Sequence, residues 1–330
     1  MSNKNDENNR ILLATILSTI LIVVWMRWYG GRTLPKMEEE KIIKINKEGE
    51  VKTKEEKVSE VVEYPTMEEE KYEDKRIKID TKTLHGTINL RGLVFDDLIL
   101  KKYKKSIEGG ENYNLLNGRN DNDAYYVNVG WDGKDIDIPD KNTLWVADKD
   151  TLRSNEPLTF TYNSEGGVLY KVIIEVDDNY MFKITQTVQN KSENVLSIKS
   201  KNSISKKQQR GTDDVGVHSG FIGVIDKQIE ELEYNKLGKN VVVFDNGNHW
   251  SGWTDKYWLV SFVSNFEYRV YKDDDMLFIV DFVDNNTDVA PDTEYATSSY
   301  LYAGAKDLNL LDSYADKFDI LYFDKAVDFG

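Results

Sequence analysis

The sequence predicts a large, mainly β domain of antiparallel strands, closed by one amphipathic helix and preceded by an N-terminal membrane helix. Three observations carry this. From Ile79 onward the chain runs in short apolar alternations separated by Gly, Asn and Asp, its last stretch alone shows helical spacing, and its first stretch is an uncharged apolar run. Alternation with a period of two belongs to strands with one buried face, and Gly, Asn and Asp clusters mark the turns between them.

In chain order, the uncharged run is ILLATILSTILIVVWM, Ile11 to Met26, with Trp25, Trp28 and Tyr29 at its end. An apolar run closed by interfacial aromatic residues predicts a transmembrane anchor over residues 11–29, held by Ile11, Leu17, Leu21, Trp25 and Trp28. A cleaved signal peptide is the alternative, but the run is long for one and the RWYGGR that follows lacks a small-x-small cleavage site. Charge does not orient the helix, because Lys4 and Arg10 precede it while Arg27, Arg32 and Lys36 follow it.

Residues 30–78 are expected to be a charged, flexible linker. Glu and Lys dominate Met37 to Lys78, aromatic residues are scarce, and Gly49 and Pro65 interrupt any helix. So little apolar surface does not offset the entropy of ordering.

The β domain is assigned to residues 79–330. In VLYKVIIEVDDNYMFKITQTVQN, Val168, Tyr170, Val172, Ile174 and Val176 share one strand face, Asp177–Asn179 turn the chain, and Tyr180, Phe182 and Ile184 resume the alternation. Similar pairings are expected at Trp258–Phe262 and in YRVYKDDDMLFIVDFV. There Asp273–Asp275 form the turn, and Met276, Phe278, Val280 and Phe282 share a face. No repeat of fixed period is visible, which argues against a propeller or solenoid. The helical segment covers residues 307–322, where Leu311, Tyr314, Ala315, Phe318 and Leu321 follow helical spacing and Asp307 or Asn309 is available as the cap.

Composition excludes several chemistries. The formal charge of −15 argues against nucleic acid, whose phosphates need basic patches. With no cysteine, thiolate catalysis, thiolate metal sites and disulfides are ruled out. Neither G-x-S-x-G nor a phosphate-cradling glycine loop occurs, so no cofactor is expected. His85, His218 and His249 are far apart, without the short spacing that lets two imidazoles share a metal, although His249 has Asp245 nearby as a possible orienting partner. DGKDIDIPD looks like a calcium loop only superficially, since Pro139 sits inside it and the closing bidentate Glu is missing. The chain is expected not to be an enzyme.

Four segments, in order, resemble the YidC family of bacterial membrane protein insertases: INLRGLVFDDLILKKY (Ile88–Tyr103), YKVIIEVDDNYMFKITQTVQNKSENVLSI (Tyr170–Ile198), GWTDKYWLVSFV (Gly252–Val263) and LYAGAKDLNLLDSYADKFDILYFDKAVDFG (Leu301–Gly330). The last is the most specific, with its Gly-x-Lys-Asp turn, amphipathic helix and Ala-Val-Asp-Phe-Gly ending. The resemblance implies a β-supersandwich, two stacked antiparallel sheets with a helical end. It also implies residues 1–10 in the cytoplasm, the anchor across the inner membrane, and the main domain in the periplasm, with a five-helix insertase core expected after Gly330. It implies membrane insertion of nascent membrane proteins, alone or with the Sec translocon and its auxiliary subunits, in contact with the lipid bilayer. By position it points to Leu311, Tyr314, Phe318 and Leu321 of the closing helix as partner-contacting or membrane-proximal residues. The competing expectation is an anchored module binding carbohydrate or an extended peptide, with Trp131, Trp250, Trp253 and Tyr257 as stacking candidates.

Overall fold

The computed structural model describes residues 75–134, 136–208, 218–225, 227–237, 241–244, 249–273 and 276–327. The expected anchor at 11–29, with Ile11, Leu17, Leu21, Trp25 and Trp28, lies outside the described residues, as does almost all of the linker. Among the described residues no helix is long and apolar enough to cross a membrane.

The strands are β1 (Arg76–Asp80), β2 (Leu84–Asn89), β3 (Val94–Lys104), β4 (Asn112–Leu116), β5 (Tyr125–Gly133), β6 (Val146–Ala147), β7 (Thr151–Leu152), β8 (Leu158–Asn163), β9 (Val168–Val176) and β10 (Met181–Asn190). They continue as β11 (Leu196–Lys207), β12 (Gly220–Ile225), β13 (Gln228–Glu233), β14 (Val242–Phe244), β15 (His249–Thr254), β16 (Trp258–Ser264), β17 (Glu267–Lys272), β18 (Leu277–Val283), β19 (Thr287–Val289) and β20 (Glu294–Ala305). One α-helix, α1 (Leu308–Phe318), follows. Strand β1 starts at Arg76, ahead of the boundary expected at Ile79.

Two sheets result. The 11-stranded sheet has the order β14-β17-β18-β11-β5-β3-β2-β1-β7, with β19 on β11 and β4 on β3; the 9-stranded sheet has the order β13-β12-β15-β16-β20-β10-β9-β8-β6. The named pairs are antiparallel except β1 with β7. The sheets stack through aromatic contacts, Phe95 on Phe182 at 5.6 Å and Phe262 on Phe282 at 4.8 Å. The Trp253 indole N–H donates across the layer to the Ile204 carbonyl at 3.1 Å. This is the mainly β, two-sheet architecture with a C-terminal helix that the sequence predicts.

The first hairpin follows its alternation. Every second residue of β9 from Val168 to Val176 is buried, and so are Tyr180, Phe182 and Ile184. Each full burial of a large apolar side chain contributes about 2 kcal/mol. Asp177 builds the turn, its Oδ1 accepting from the backbone N–H of Asn179 at 2.9 Å and of Met181 at 3.1 Å. The β17–β18 hairpin departs from expectation at one residue. Met276 has φ 65° and is 39% exposed, so it belongs to the turn and does not share the buried face of Phe278, Val280 and Phe282. A positive φ reverses the chain, which pattern matching along a strand cannot register.

Candidate functional site

The closing segment, residues 304–327, is the part of the domain that the sequence singles out. Its motif has a physical reading residue by residue. At Gly304 a Cβ would lie 2.3 Å from the Tyr180 ring, so only glycine lets that ring pack against the end of strand β20. Asp307 is the N-cap of α1: its side chain accepts from the Leu310 N–H at 3.2 Å, and its carbonyl accepts from the Leu311 N–H at 2.9 Å. Of the two candidate caps, the structure selects Asp307.

The helix ends earlier than its apolar spacing predicts. Asp319 adopts the left-handed conformation, φ 52° and ψ 48°, and the Ile320 N–H returns to the Ala315 carbonyl at 3.0 Å. Leu321 therefore lies beyond the helix, and a short 3₁₀ turn, Phe323–Ala326, follows.

This segment covers the outer face of the 9-stranded sheet. Phe318 packs on Tyr300 at 4.7 Å, Tyr314 meets the edge of Tyr302 at 5.9 Å, and Phe323 stands edge-on to both Tyr302 (5.4 Å) and Trp250 (5.2 Å). Two polar ties add direction. The Trp250 indole N–H donates to the Leu321 carbonyl at 3.0 Å, and the Tyr314 hydroxyl donates to Asp177 Oδ2 in the β9–β10 turn. Burial, and then the adjoining Asp177 carboxylate, push the Tyr314 phenol well above its ordinary value.

Among the four residues nominated from position, Leu311 and Tyr314 are buried and face the sheet. Phe318 and Leu321 are half-buried. The apolar stripe therefore seats the helix. What the segment offers to solvent is Leu308 at 39% and Tyr322 at 41% exposure, flanking the exposed Asp312, Ser313, Asp316, Lys317 and Asp319. Sequence reasoning missed Tyr180, Asp177, Tyr302 and Phe323 as parts of the seat. Gly304 was the available signal, because a glycine inside a strand marks a close approach.

The remaining candidates scatter. His85 is exposed on β2, and His218 Nε2 lies 2.9 Å from the Phe221 carbonyl. His249 opens β15, while Asp245 is outside the described residues. Among the proposed stacking residues, Trp250 and Trp253 are fully buried and Trp131 nearly so; Tyr257 is 58% exposed. In the calcium-like stretch, Asp140 Oδ1 accepts from the N–H groups of Asn142 (2.8 Å) and Thr143 (3.0 Å), an exposed turn that closes on itself.

A family model described as the YidC periplasmic domain matches residues 76–330, beginning at the residue where β1 begins. The chain belongs to the YidC family. It is 34% identical to a membrane protein insertase YidC of Rickettsia bellii, over 99% of this chain and 60% of that one. With the Rickettsia africae counterpart it shares 33%, over 98% and 60%. The chain thus spans about three fifths of the length of these curated relatives. Among solved structures, a galactose mutarotase related enzyme from Lactobacillus acidophilus aligns with 9% identity and a TM-score of 0.49, over 69% of this chain and 97% of that one. No inference about chemistry follows from so distant a likeness.

Proposed function

We propose that this chain serves a YidC-type insertase of the bacterial inner membrane. It assists insertion and folding of nascent membrane proteins, alone or with the Sec translocon and its auxiliary subunits, and performs no covalent reaction. The observation that carries this reading is the family match over residues 76–330, together with relatives of that activity in their names. Residues 1–10 lie in the cytoplasm, 11–29 anchor the chain in the lipid bilayer, 30–75 tether it, and the β domain, which begins with β1 at Arg76, works in the periplasm. In this reading the closing segment is a rigid platform: the buried side of its helix fixes it to the sheet, and Leu308 at the helix start and Tyr322 beyond the helix end face the membrane or a partner. Insertion matters because the hydrocarbon core strongly disfavours polar segments that have no path through it.

The test is depletion of the native protein in its own cell, followed by protease protection of a reporter inner-membrane protein. Loss of the reporter's periplasmic accessibility on depletion, restored by re-expression, is the expected result. Normal insertion in the depleted cell would reject the reading.

A further inference from the structure

A second surface lies apart from α1. Strand β4 pairs with β3, and β5 begins only at Tyr125, so a gap opens in the 11-stranded sheet between β4 and the end of β11. Beyond the single bridge from Asn117 to Tyr125, the outer edge of β4 has no strand partner among the described residues. The gap is a cleft of about 520 Å³, lined by Tyr113, Asn114 and Leu115 from β4 and by the turn between β15 and β16. That volume falls in the ordinary range for ligand sites.

Its charge opposes that of the molecule. Lys105, Lys206, Lys207 and Lys256 line it against Asp123 and Asp255, an excess of positive charge in a chain that carries −15 overall. Lys206 is spent at the floor, paired with Asp255 and set 4.7 Å from the Tyr125 ring centroid. Lys105 pairs with Glu111 at 2.9 Å. Lys207 and Lys256 have no carboxylate partner among the described residues. Beside them stand Trp258 and Tyr113, stacked at 4.2 Å, and the exposed ring of Tyr257.

We propose that this gap binds an extended acidic peptide, which adds as a strand to the free edge of β4 and sets its carboxylates against Lys207 and Lys256. An unpaired strand edge recognises backbone amides, which a sugar does not have, and alternate side chains of an added strand reach opposite faces. Trp258, Tyr113 and Tyr257 receive an apolar side chain of the peptide on the cleft wall. The proposal stands on the cleft alone and does not depend on the insertase reading.

The experiment titrates the 330-residue chain, in detergent micelles, into a fluorescein-labelled peptide of alternating Glu and Val, read by anisotropy, beside its Lys-for-Glu analogue. Saturable binding of the acidic peptide only, weakening as salt is raised, is expected. Lys207→Glu with Lys256→Glu weakens it on the order of tenfold, the sum of two exposed ion pairs. Lys171→Glu with Lys191→Glu, outside the cleft and equal in charge change, leaves it within about twofold of the parent. N-methylation of alternate peptide amides weakens it as well. No binding, equal binding of the basic analogue, or an undiminished affinity in the first variant with native circular dichroism would each overturn the proposal. So would full displacement by glucuronate with no effect of N-methylation, which reassigns the gap to small anionic rings.

Discussion

At the scale of single residues, the closing segment depends on two fits that can be broken separately. Gly304→Ala drives a methyl group into the Tyr180 ring, and overpacking of this kind costs about 2 kcal/mol. Chemical denaturation is expected to show a lower midpoint with unchanged slope; an unchanged midpoint would mean that the ring moves freely. Tyr314→Phe keeps the packing against Tyr302 and removes the bond to Asp177. Hydrogen bonds to charged groups contribute about 2 kcal/mol, and loss of that amount, measured the same way, is the expected outcome. Gly304 marks a close approach in the sequence, but the partner in neither contact was legible, since Gly304 and Tyr180, or Asp177 and Tyr314, are joined only by the folding of distant segments. Asp307, by contrast, was legible, because a cap acts on its own next turn.

At the scale of elements, the hairpins and the helix were readable where one periodicity governs a whole segment, as in β9 and β10. Spacing misled where a backbone reversal cuts across it. Leu321 continues the helical stripe on paper, yet the left-handed Asp319 ends the helix before it. Met276 continues a strand alternation, yet its positive φ places it in the turn. Leu311 and Tyr314 are buried in this structure, because an apolar stripe has one face and the sheet occupies it. These placements divide the expected effects of substitution. Leu311→Ser strikes a fully buried site and costs about 3 kcal/mol or more, combining a cavity with an unsatisfied hydroxyl. Leu308→Ser, at an exposed helix start, changes stability by about 0.5 kcal/mol or less. Thermal melts of the two variants side by side test the seat directly, and equal losses would contradict it.

At the scale of the whole molecule, buried tyrosines set the alkaline limit of the fold. Burial, the first cause in each case, raises Tyr302 and Tyr314, and pushes Tyr113 up to about 12, from an ordinary 10.0. In the unfolded chain these phenols lose their protons near 10.0, while in the folded chain they keep them to higher pH. The unfolded state therefore binds fewer protons above 10, and stability falls as pH rises from there toward the folded values, being independent of these groups below. Melting temperature is expected to be flat from pH 8 to 10 with respect to tyrosine and to drop steeply above it, together with phenolate absorbance. Ionisation of all tyrosines near 10 without unfolding would contradict the burial.

The central claim is that the closing segment is seated on the sheet by the apolar stripe of its helix, and the proposal built on it is that its exposed Leu308 and Tyr322 meet partners. The most direct measurement places a photo-crosslinking amino acid at Tyr322, and separately at Leu311, in the native protein in its own cell. The account predicts crosslinks from position 322 to Sec translocon subunits or nascent membrane proteins, and only internal products from position 311. Partner crosslinks from 311 with none from 322 would contradict it.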